Sequence, residues 1–548
     1  MRMYSDGKIK FLVTSRRSDI KTTDASDIQF SKIPLGPLDV EESIKVLNDS
    51  TGLTSDSEQG TKVKLHKIAE LCENNPLALK LAGGLLSEES EYELEELEQE
   101  LEQNAAEALG VQTIIETAFE KLDDSLKNTL LLLSVFPRSF KRDAAKAILV
   151  HNPAKQLTKL KQRCLIQREG NRYLIHLLIR SHIKKIVIRG EFCPILTEGK
   201  QRFLRHFLSL ILRNAKKFWE KDTCRKSFTL FNEERINLES TLREFAGQKE
   251  IQHCSEVEDL MNECQQVTPY VEYCVHFQLY EEFLTGLHKL CKSQGKPTKE
   301  VEILCLRYHE KRKYSCNYER NSKDFILQAK KLHDFFNGNP SHFERDGLSE
   351  AFYLNHYGRY LSEDCNKREQ AHDLLKEAIS IYEEERNSTF DIGRIYVQLG
   401  HNLKHEKRCE EALDSYTEAL RFRTFHYGKH FLTAFAHKDV ADCYIMLENF
   451  IKAEESYQKA IELLEDIEMV EQKEAVSVLG NYGKCLAKRE KIKEARRVLE
   501  KARHVAANTI RGSVRVKVEV NTSLALLLYN KYPDETNEAD QLSREVLT

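Results

Sequence analysis

The C-terminal third of this 548-residue chain repeats itself every 41 or 42 residues. Three series of small residues share that spacing: Ala371, Ala412, Ala453 and Ala495; Ala378, Ala419, Ala460 and Ala502; and Gly358, Gly400, Ala441 and Gly483. A large residue lies between the two alanines in every copy: Leu375, Tyr416, Tyr457 and Leu499. A fixed period of this length indicates a stack of similar units, each of which covers the hydrophobic face of the next.

Each repeat has the pattern of two packed helices. A small residue at a helix crossing lets the backbones approach closely, and a large residue fills the groove of the neighbouring pair. The pattern resembles the tetratricopeptide repeat, which has a period of about 34 residues, and the longer period here is similar to the kinesin-light-chain variety. The resemblance implies an α-solenoid with four complete copies and a fifth that begins at Ala525 and carries Ala539. Because the chain ends at Thr548, inside the second helix of that copy, we expect the array to be cut short.

The first helices of such an array are expected to line its groove and to bind protein or peptide partners. The residues that flank the small position are then the candidates for partner binding: Asn355, Arg359, His401, Lys438, Asp442, Asn481, Lys484 and Lys488. The set is mainly basic, which would suit an acidic peptide. The alternative is a scaffold whose helix faces are merely solvated and bind nothing in particular.

The N-terminal 190 residues have a different pattern. Phe11, Leu12 and Val13 form a short apolar run that predicts a buried parallel strand, and Arg16 follows where such strands meet anionic ligands. Farther along, Asn75 is a natural helix N-cap and Pro76 a natural first helical residue. These signals predict a strand followed by a helical region.

Two later segments complete the N-terminal pattern. The apolar run 130–136 predicts a buried helix that ends before Pro137. Residues 157–183 predict a helix, a strand, a turn at Gly170 and Asn171, a second strand and another helix. This order is typical of a winged helix.

In this order the segments resemble the NB-ARC family, the nucleotide-dependent switches of apoptosome and plant-resistance type. The resemblance covers roughly residues 8–185. The sequence FLVTSRR at 11–17 resembles the family's sensor-one strand, which implies that Arg16 senses a γ-phosphate. Taken alone, Arg16 could equally be an ordinary arginine at a strand end.

Two further motifs carry the resemblance. NNPLALKLAG resembles the family's GLPLA motif, which implies that Pro76 lies against an adenine ring, although Asn75 stands where the family has glycine. LIHLLIR resembles the MHD motif, which implies that His176 contacts the β-phosphate of ADP, although Leu177 stands where the family has aspartate. Taken alone, Pro76 would be a helix start and His176 a structural histidine.

The chain lacks the sequence that would hold the phosphates of a nucleotide. It contains no GxxxxGK[ST] motif, and only about ten residues precede Phe11, where the family has its Walker B strand. ADP or ATP is therefore implied by resemblance only, and we expect that this chain alone does not bind it and is not an enzyme. The absence predicts either a truncated gene product or a natural variant, and it would leave the Phe11 strand unpaired.

The predicted architecture is mostly α. It comprises a remnant of an α/β nucleotide-binding domain in residues 1–30, a helical ARC subdomain in 31–108, a winged helix in 109–190, a helical spacer with possible degenerate repeats in 191–345, and an α-solenoid of TPR-like repeats in 346–548.

Composition narrows the functional classes. The net charge of −4, from 83 basic and 87 acidic residues, gives no general basic excess for nucleic acid. The 14 cysteines include no CxxC pair, which predicts reduced thiols and no metal site. The longest apolar run, at 130–136, is too short to cross a membrane. These features predict a cytoplasmic protein.

We therefore expect a switch or scaffold of NB-ARC type whose repeats sense a partner, with possible self-association and, by resemblance, a setting in innate immunity or apoptosis. One alternative is a DNA-binding winged-helix regulator, because residues 155–189 contain ten basic residues and one acidic residue. A third is a stand-alone repeat scaffold.

Overall fold

In the computed structural model, α-helices make up most of the residues that the structure describes. The residues that the structure describes are 2–5, 8–11, 36–51, 59–87, 93–104, 110–149, 153–188, 193–247, 254–314, 321–337, 347–384, 392–470, 473–508, 514–532 and 536–547. They form 27 α-helices and five short strands, as expected for a mostly α protein. The chain divides into two compact units, Met1–Ala118 and Phe119–Thr548, which are described separately.

The first unit contains a hairpin and four helices, and a fifth helix begins in it. They are β1 (Arg2–Ser5), β2 (Lys8–Phe11), α1 (Val40–Thr51), α2 (Gln59–Leu71), α3 (Pro76–Leu85), α4 (Leu94–Asn104) and α5 (Gly110–Glu120).

The strand near Phe11 differs from the prediction of an unpaired parallel strand. Phe11 ends β2, which pairs with β1 in antiparallel register, Arg2 opposite Phe11 and Ser5 opposite Lys8. Two residues, Asp and Gly, separate the strands in sequence, and this pair favours a tight hairpin connection. Local pairing therefore satisfies the backbone of β2. Residues 12–35, with Arg16, lie outside the described part of the chain.

Helix α3 begins as predicted. Asn75 is its N-cap, and the Asn75 side chain accepts hydrogen bonds from the backbone N–H groups of Leu77 and Ala78 at 3.0 and 3.3 Å. Pro76 is the first helical residue, where its missing N–H costs nothing. At the other end, a Cβ on Gly83 would lie 2.4 Å from the Cβ of Ser50, so α3 and α1 pack in close contact.

The acidic helix α4 is part of the core of the first unit. A solvated linker helix is the simplest prediction from its Glu-rich sequence, but Leu97 and Leu101 are buried. Helix α2 supplies the opposite charge, because its Lys67 forms ion pairs with Glu98 and Glu102 of α4. The buried leucines of α4, rather than its surrounding charges, therefore decide that this helix packs in the core.

The second unit begins with the predicted order of helices and strands. Its first elements are α6 (Asp124–Leu133), β3 (Ser139–Lys141), α7 (Arg142–Ile148), α8 (Pro153–Gln162), β4 (Gln167–Glu169), β5 (Arg172–Leu174) and α9 (Leu177–Ile188). The strands form an antiparallel sheet in the order β3-β5-β4. Gly170, with φ of 60°, occupies the turn between β4 and β5. We call residues 139–188 the hairpin module.

Six spacer helices follow, and the first is the longest helix of the chain's described part. They are α10 (Cys193–Trp219), α11 (Cys224–Glu233), α12 (Arg235–Gly247), α13 (Ser255–Asn262), α14 (Cys264–Cys274) and α15 (Phe277–Ser293). At 27 residues, α10 is about 40 Å long, and its apolar face contains buried Phe203, Phe207 and Phe218. Helices α11, α12, α13 and α14 pack against it, and α15 packs against α12 and against the helix that follows it, Pro297–Tyr314.

The repeat array consists of antiparallel helix pairs. They are α16 (Pro297–Tyr314) with α17 (Asn321–Asn337), α18 (Gly347–Leu361) with α19 (Arg368–Glu384), α20 (Ile392–His405) with α21 (Cys409–Tyr427), α22 (Phe431–Met446) with α23 (Phe450–Asp466), α24 (Lys473–Lys488) with α25 (Ile492–Asn508), and α26 (Val514–Lys531) with α27 (Thr536–Leu547). Pairing thus begins at Pro297, inside the segment that was predicted as a spacer with possible degenerate repeats.

The small periodic residues lie at helix crossings as predicted, but the large residue contacts the small residue of its own repeat and not only the neighbouring pair. A Cβ on Gly400 would lie 2.7 Å from the Tyr416 ring, and a Cβ on Gly483 would lie 2.6 Å from Leu499 Cγ. The small residue of each first helix therefore receives the large residue of its own second helix. This contact fixes how closely the two helices of a pair approach.

Candidate partner-binding site

The first helices of the central repeats form an inner layer. Helix α18, which is described throughout, has no exposed residue, and exposure in α20 and α22 is confined to His405 and Met446 at their ends. The second helices α19, α21 and α23 instead show an exposed face. The half-buried side chains of the first helices are therefore the candidates for a groove.

Asp442, on α22, is the centre of a polar cluster that joins neighbouring repeats. Its Oδ1 accepts a hydrogen bond from Asn481 Nδ2 of α24 at 3.0 Å and another from the Tyr457 hydroxyl of α23. Its Oδ2 lies 3.0 Å from Lys438 Nζ and 3.9 Å from Lys404 Nζ of α20. We call Lys404, Lys438, Asp442, Tyr457 and Asn481 the Asp442 cluster.

Burial and charge compete in the Asp442 cluster. Lys438 Nζ also lies 2.8 Å from an oxygen of Asp439. Burial opposes the charged form of Lys438, but the two carboxylates outweigh it and raise the pKa of Lys438 above its ordinary value. Burial likewise opposes ionisation of Asp442, whereas Lys438 and the Tyr457 hydroxyl hold the pKa of Asp442 below its ordinary value. The cluster is an ionised network at neutral pH.

His401, on α20, lies close to cations of three helices. Its Nδ1 is 2.5 Å from the Tyr416 hydroxyl. Burial is the main cause that lowers the pKa of His401 to about 4; Asp439 opposes this shift, whereas Lys438, Arg359 and Lys404 favour it. The imidazole is therefore neutral at pH 7, and the positive potential around it comes from α18, α20 and α22.

Positive charge exceeds negative charge along this inner layer. From position 355 of α18, through α20 and α22, to the end of α24, the half-buried or exposed cations are Arg359, Arg394, Lys404, Lys438, Lys484 and Lys488. In the same stretch the sequence has three carboxylates, Asp439, Asp442 and Glu474. The cations of this stretch therefore outnumber its carboxylates.

The structure brings together three of the predicted partner-binding residues: Lys438, Asp442 and Asn481 are in direct contact. His401 and Arg359 belong to the same electrostatic environment, and Arg359 Nη1 donates to His309 Nδ1 at 3.1 Å.

The remaining predicted residues lie apart from the Asp442 cluster. Lys484 is exposed on α24, and Lys488 Nζ lies 5.4 Å from the centroid of the Phe450 ring. Asn355 is only 3% exposed and belongs to the interior, because nearly the whole of α18 is covered. It is therefore not a surface residue.

Sequence reasoning missed two members of the Asp442 cluster. Tyr457 was identified only as a large packing residue, although a tyrosine, unlike the equivalent Leu375 and Leu499, brings a hydroxyl that needs a partner when buried. Lys404 lies four residues after the small position of its repeat, one helical turn farther than the flanking residues that we considered. One turn places it on the same face.

The predicted nucleotide contacts Pro76 and His176 lie in different units. Pro76 is exposed at the start of α3. His176 is half-buried before α9, and its Nδ1 accepts the Leu178 backbone N–H at 3.3 Å. The acceptor role of Nδ1 places the proton of a neutral His176 ring on Nε2, the atom that could donate to a phosphate.

Part of the basic charge of the hairpin module has a structural role. Arg172 forms a bidentate pair with Glu234 of the spacer, at 2.6 and 3.0 Å. Arg180 is buried and donates to the backbone carbonyls of Ser134, Phe136 and Arg138, and burial lowers the pKa of Arg180 to about 10. These two arginines are therefore not available to a DNA duplex.

The described residues offer neither a metal site nor a membrane-spanning helix. Within the part of the chain that the structure describes, no three His, Cys, Asp or Glu side chains converge as metal ligands. Across those same residues, no helix has the length and apolar character needed to span a membrane.

Comparison with known proteins identifies the repeats. The family model of the tetratricopeptide repeat matches residues 391–466, which correspond to helices α20–α23. This part of the chain therefore consists of tetratricopeptide repeats. The search of curated proteins found no match.

Several solved structures are similar to the chain. One is a Signal Transduction ATPase with Numerous Domains (STAND) protein with a tetratricopeptide repeat sensor from Pyrococcus horikoshii, at 17% identity and a TM-score of 0.48 over 94% of this chain and 73% of that one. BtubC (BKLC) from P. vanneervenii is 17% identical, with a TM-score of 0.32 over 46% of this chain and 91% of that one. Kinesin light chain TPR-like repeats from Podosopora anserina are 14% identical, with a TM-score of 0.31 over 37% and 95%.

Proposed function

We propose that this chain is a protein-interaction scaffold whose repeat array binds an acidic peptide segment along its inner layer. The observation that carries the proposal is the position of Lys404 and Lys438, from neighbouring first helices, whose Nζ atoms lie 3.9 and 3.0 Å from the same Asp442 carboxylate, close to His401 and to Arg359 of the preceding first helix. Carboxylates of a peptide would supply the negative charge that Asp439 and Asp442 do not fully provide.

The spacing of the helices suggests a pattern for the peptide. Packed helices lie about 8–10 Å apart, and a peptide in the polyproline II conformation advances about 3.1 Å per residue with three residues per turn, so that every third side chain faces the same way. Carboxylates three residues apart would therefore meet the cations of successive first helices. We propose that the preferred segment carries an acidic side chain at every third position.

The test is a binding measurement with defined peptides on the full chain. The probe is a fluorescein-labelled dodecapeptide with glutamate at every third position and neutral residues elsewhere, and the comparison peptides carry lysine instead or the same glutamates in one block. We expect the spaced glutamate peptide to bind most tightly, and increasing salt to weaken its binding. Equal anisotropy changes with all three peptides would refute the proposal.

Substitutions locate the binding surface. Lys404→Gln removes an inner-layer cation, and the matched control Lys376→Gln removes an exposed cation of the outer helix α19. We expect Lys404→Gln to weaken peptide binding about fivefold to tenfold, the effect of losing one charge-assisted contact, and Lys376→Gln to leave it unchanged. If both variants weaken binding equally, the peptide is held by the overall charge of the protein and not by the inner layer.

We also propose, from the resemblance of the N-terminal motifs, that the array is the sensing arm of a nucleotide-dependent signalling switch. By that resemblance Pro76, which is exposed at the start of α3, would contact an adenine ring, and His176 would contact a phosphate. The sequence contains no P-loop to hold the other phosphates. We therefore expect isothermal titration with ADP to show no tight binding by this chain alone, and no ATP hydrolysis. Micromolar ADP binding would contradict this expectation.

A further inference from the structure

The turn between α21 and α22 is docked onto the corner between α10 and α11, about 200 residues earlier in the chain. The backbone N–H of Asp222 donates to the Tyr427 carbonyl at 3.1 Å. In return, the Asp222 carboxylate accepts the backbone N–H of Lys429 at 2.7 Å. An ion pair between Arg225 of α11 and Glu468 also connects these two parts of the chain. Two backbone segments that are remote in sequence are therefore fixed against each other.

An aromatic core lies behind these hydrogen bonds. Phe218, at the end of α10, and Phe431, at the start of α22, are both fully buried, with ring centroids 5.8 Å apart. His430 is also fully buried, and its Nε2 lies 3.1 Å from the Phe218 carbonyl oxygen. Tyr273 of α14 packs edge-on against Phe431 at 4.6 Å. Burial of aromatic surface, rather than the exposed hydrogen bonds, supplies most of the stabilisation.

Gly428 is needed for this docking. Its φ of 56° and ψ of −119° belong to a turn conformation that favours glycine. A Cβ at this position would also lie 2.3 Å from an Asp222 carboxylate oxygen. Any side chain at position 428 therefore strains the turn and pushes it away from the α10–α11 corner.

The docked turn and the proposed peptide surface share one helix. Helix α22 begins at Phe431, inside the aromatic core, and carries Lys438 and Asp442 farther along. The rise of an α-helix places Lys438 only about 10–11 Å from Phe431. Movement at the start of α22 therefore displaces the side chains that connect α20, α22 and α24 in the Asp442 cluster.

We infer that residues 427–431, docked on the α10–α11 corner, form a latch that holds α22 in position and thereby preorganises the inner layer for its peptide. The latch is a contact within this chain and needs no ligand. Its coupling to peptide binding rests on the function proposed above. A preorganised surface binds more tightly because it does not have to be ordered on binding.

Cys224 provides a native reporter of the latch. It is the first residue of α11, is fully buried, and contacts the backbone of Phe431. Opening the latch exposes this thiol to an alkylating reagent. Cys365 is exposed and Cys485 is buried outside the latch, so both serve as internal controls when each cysteine is quantified by mass spectrometry.

Gly428→Ala tests the latch, and Gly295→Ala is its matched control. Gly295 has a positive φ of 62°, but a Cβ there would meet nothing within 4 Å. We expect Gly428→Ala to increase the labelling rate of Cys224 about tenfold, in keeping with the usual cost of such backbone strain, and to speed amide exchange in residues 431–446. Gly295→Ala should leave both unchanged, and Cys485 labelling should not change in either variant.

Asp222→Ala is the second variant, in case Gly428→Ala does not fold. It removes the acceptor of the Lys429 N–H without adding a side chain, and it should speed Cys224 labelling in the same direction by a smaller factor. If Cys224 labelling and the exchange of α22 stay at wild-type rates in both variants, the latch does not exist.

Coupling to the inner layer is measured separately with the spaced glutamate peptide. We expect Gly428→Ala to weaken peptide binding about tenfold, and saturating peptide to slow Cys224 labelling in the wild type, because linkage is reciprocal. Faster labelling with unchanged peptide affinity overturns the coupling. If the wild type binds no peptide, the proposed function fails, while labelling and exchange still decide whether the latch exists.

Discussion

Gly400 and Tyr416 are packed so closely that a Cβ on the glycine would lie 2.7 Å from Cε1 of the tyrosine ring. The two residues come from the two helices of one repeat, and their equivalents Gly483 and Leu499 make the same contact. The hydroxyl of Tyr416 also forms a hydrogen bond with Nδ1 of His401, on the inner layer. One residue pair thus sets the helix spacing and also links the repeat core to the inner layer.

Gly400→Ala should destabilise the array. The added methyl collides with the Tyr416 ring, and overpacking of this kind costs about 1–3 kcal/mol, while the better helix propensity of alanine returns about 1 kcal/mol. We expect a net loss of up to about 2 kcal/mol in urea denaturation. In a double-mutant cycle with Tyr416→Leu, the two losses should be less than additive. Full additivity would show that the two side chains do not collide.

Asp442→Ala should destabilise the array more than loss of a surface pair. The substitution leaves Lys438 with one carboxylate and leaves Tyr457 and Asn481 without their shared acceptor. Breaking a buried pair on one side costs about 3 kcal/mol. The control is Arg421→Ala, which removes an exposed arginine that pairs with Glu418, and it should leave the urea midpoint unchanged. Similar shifts in both variants would show that the Asp442 cluster contributes nothing special.

The array should lose stability on mild acidification. Burial lowers the pKa of His356 to about 3 and that of His401 to about 4. Both are below the ordinary value near 6.5, so the unfolded chain binds protons first as the pH falls. Their contribution is complete above pH 6.5 and is lost towards their folded pKa values. Between pH 7 and 5 we expect a loss of up to about 2 kcal/mol per histidine.

The matched variants for this pH dependence are His401→Gln and His405→Gln, since His405 is exposed at the end of the same helix. Denaturation curves at pH 7 and pH 5 should show a smaller pH effect for His401→Gln and an unchanged effect for His405→Gln. If the free energy of unfolding is the same at both pH values, His401 is not buried in its neutral form.

The hairpin module should depend on the bidentate pair between Arg172 and Glu234. Asn237 also donates to Glu234 and to the Ser139 carbonyl. The Glu234 carboxylate therefore connects the hairpin module to the spacer. Arg172→Lys keeps the charge but loses the second hydrogen bond, which should cost about 1–2 kcal/mol. Limited proteolysis should then cut between the module and the spacer more readily, whereas Arg168→Lys, at an exposed position in β4, should not change the pattern.

Local signals in the sequence predicted the repeats and the N-terminal elements well. The 41-residue period located the contacts of Gly400 and Gly483, and Asn75 and Gly170 marked a helix start and a turn, because these features depend on neighbouring residues. The pairing of β2 with β1 was missed because the resemblance to a parallel sheet was preferred over the local Asp-Gly signal.

Contacts between distant segments could not be predicted in this way. Nothing in the sequence around Asp222 indicates that its carboxylate caps Lys429, because that contact depends on how the five single helices α11–α15 and the three helix pairs α16–α21 between them curve. The burial of Asn355 has the same origin. The Asp442 cluster was predicted only in part, since three of its members flank a small residue and the other two, Lys404 and Tyr457, do not.

The most direct test of the account is hydrogen exchange of the full chain with and without the spaced glutamate peptide. If the peptide binds on the inner layer, it should slow amide exchange in residues 392–405 and 431–446, the first helices α20 and α22. Exchange in the outer helices α21 and α23 should change little. Protection confined to the hairpin module, residues 139–188, or no protection at all, would contradict peptide binding on the inner layer.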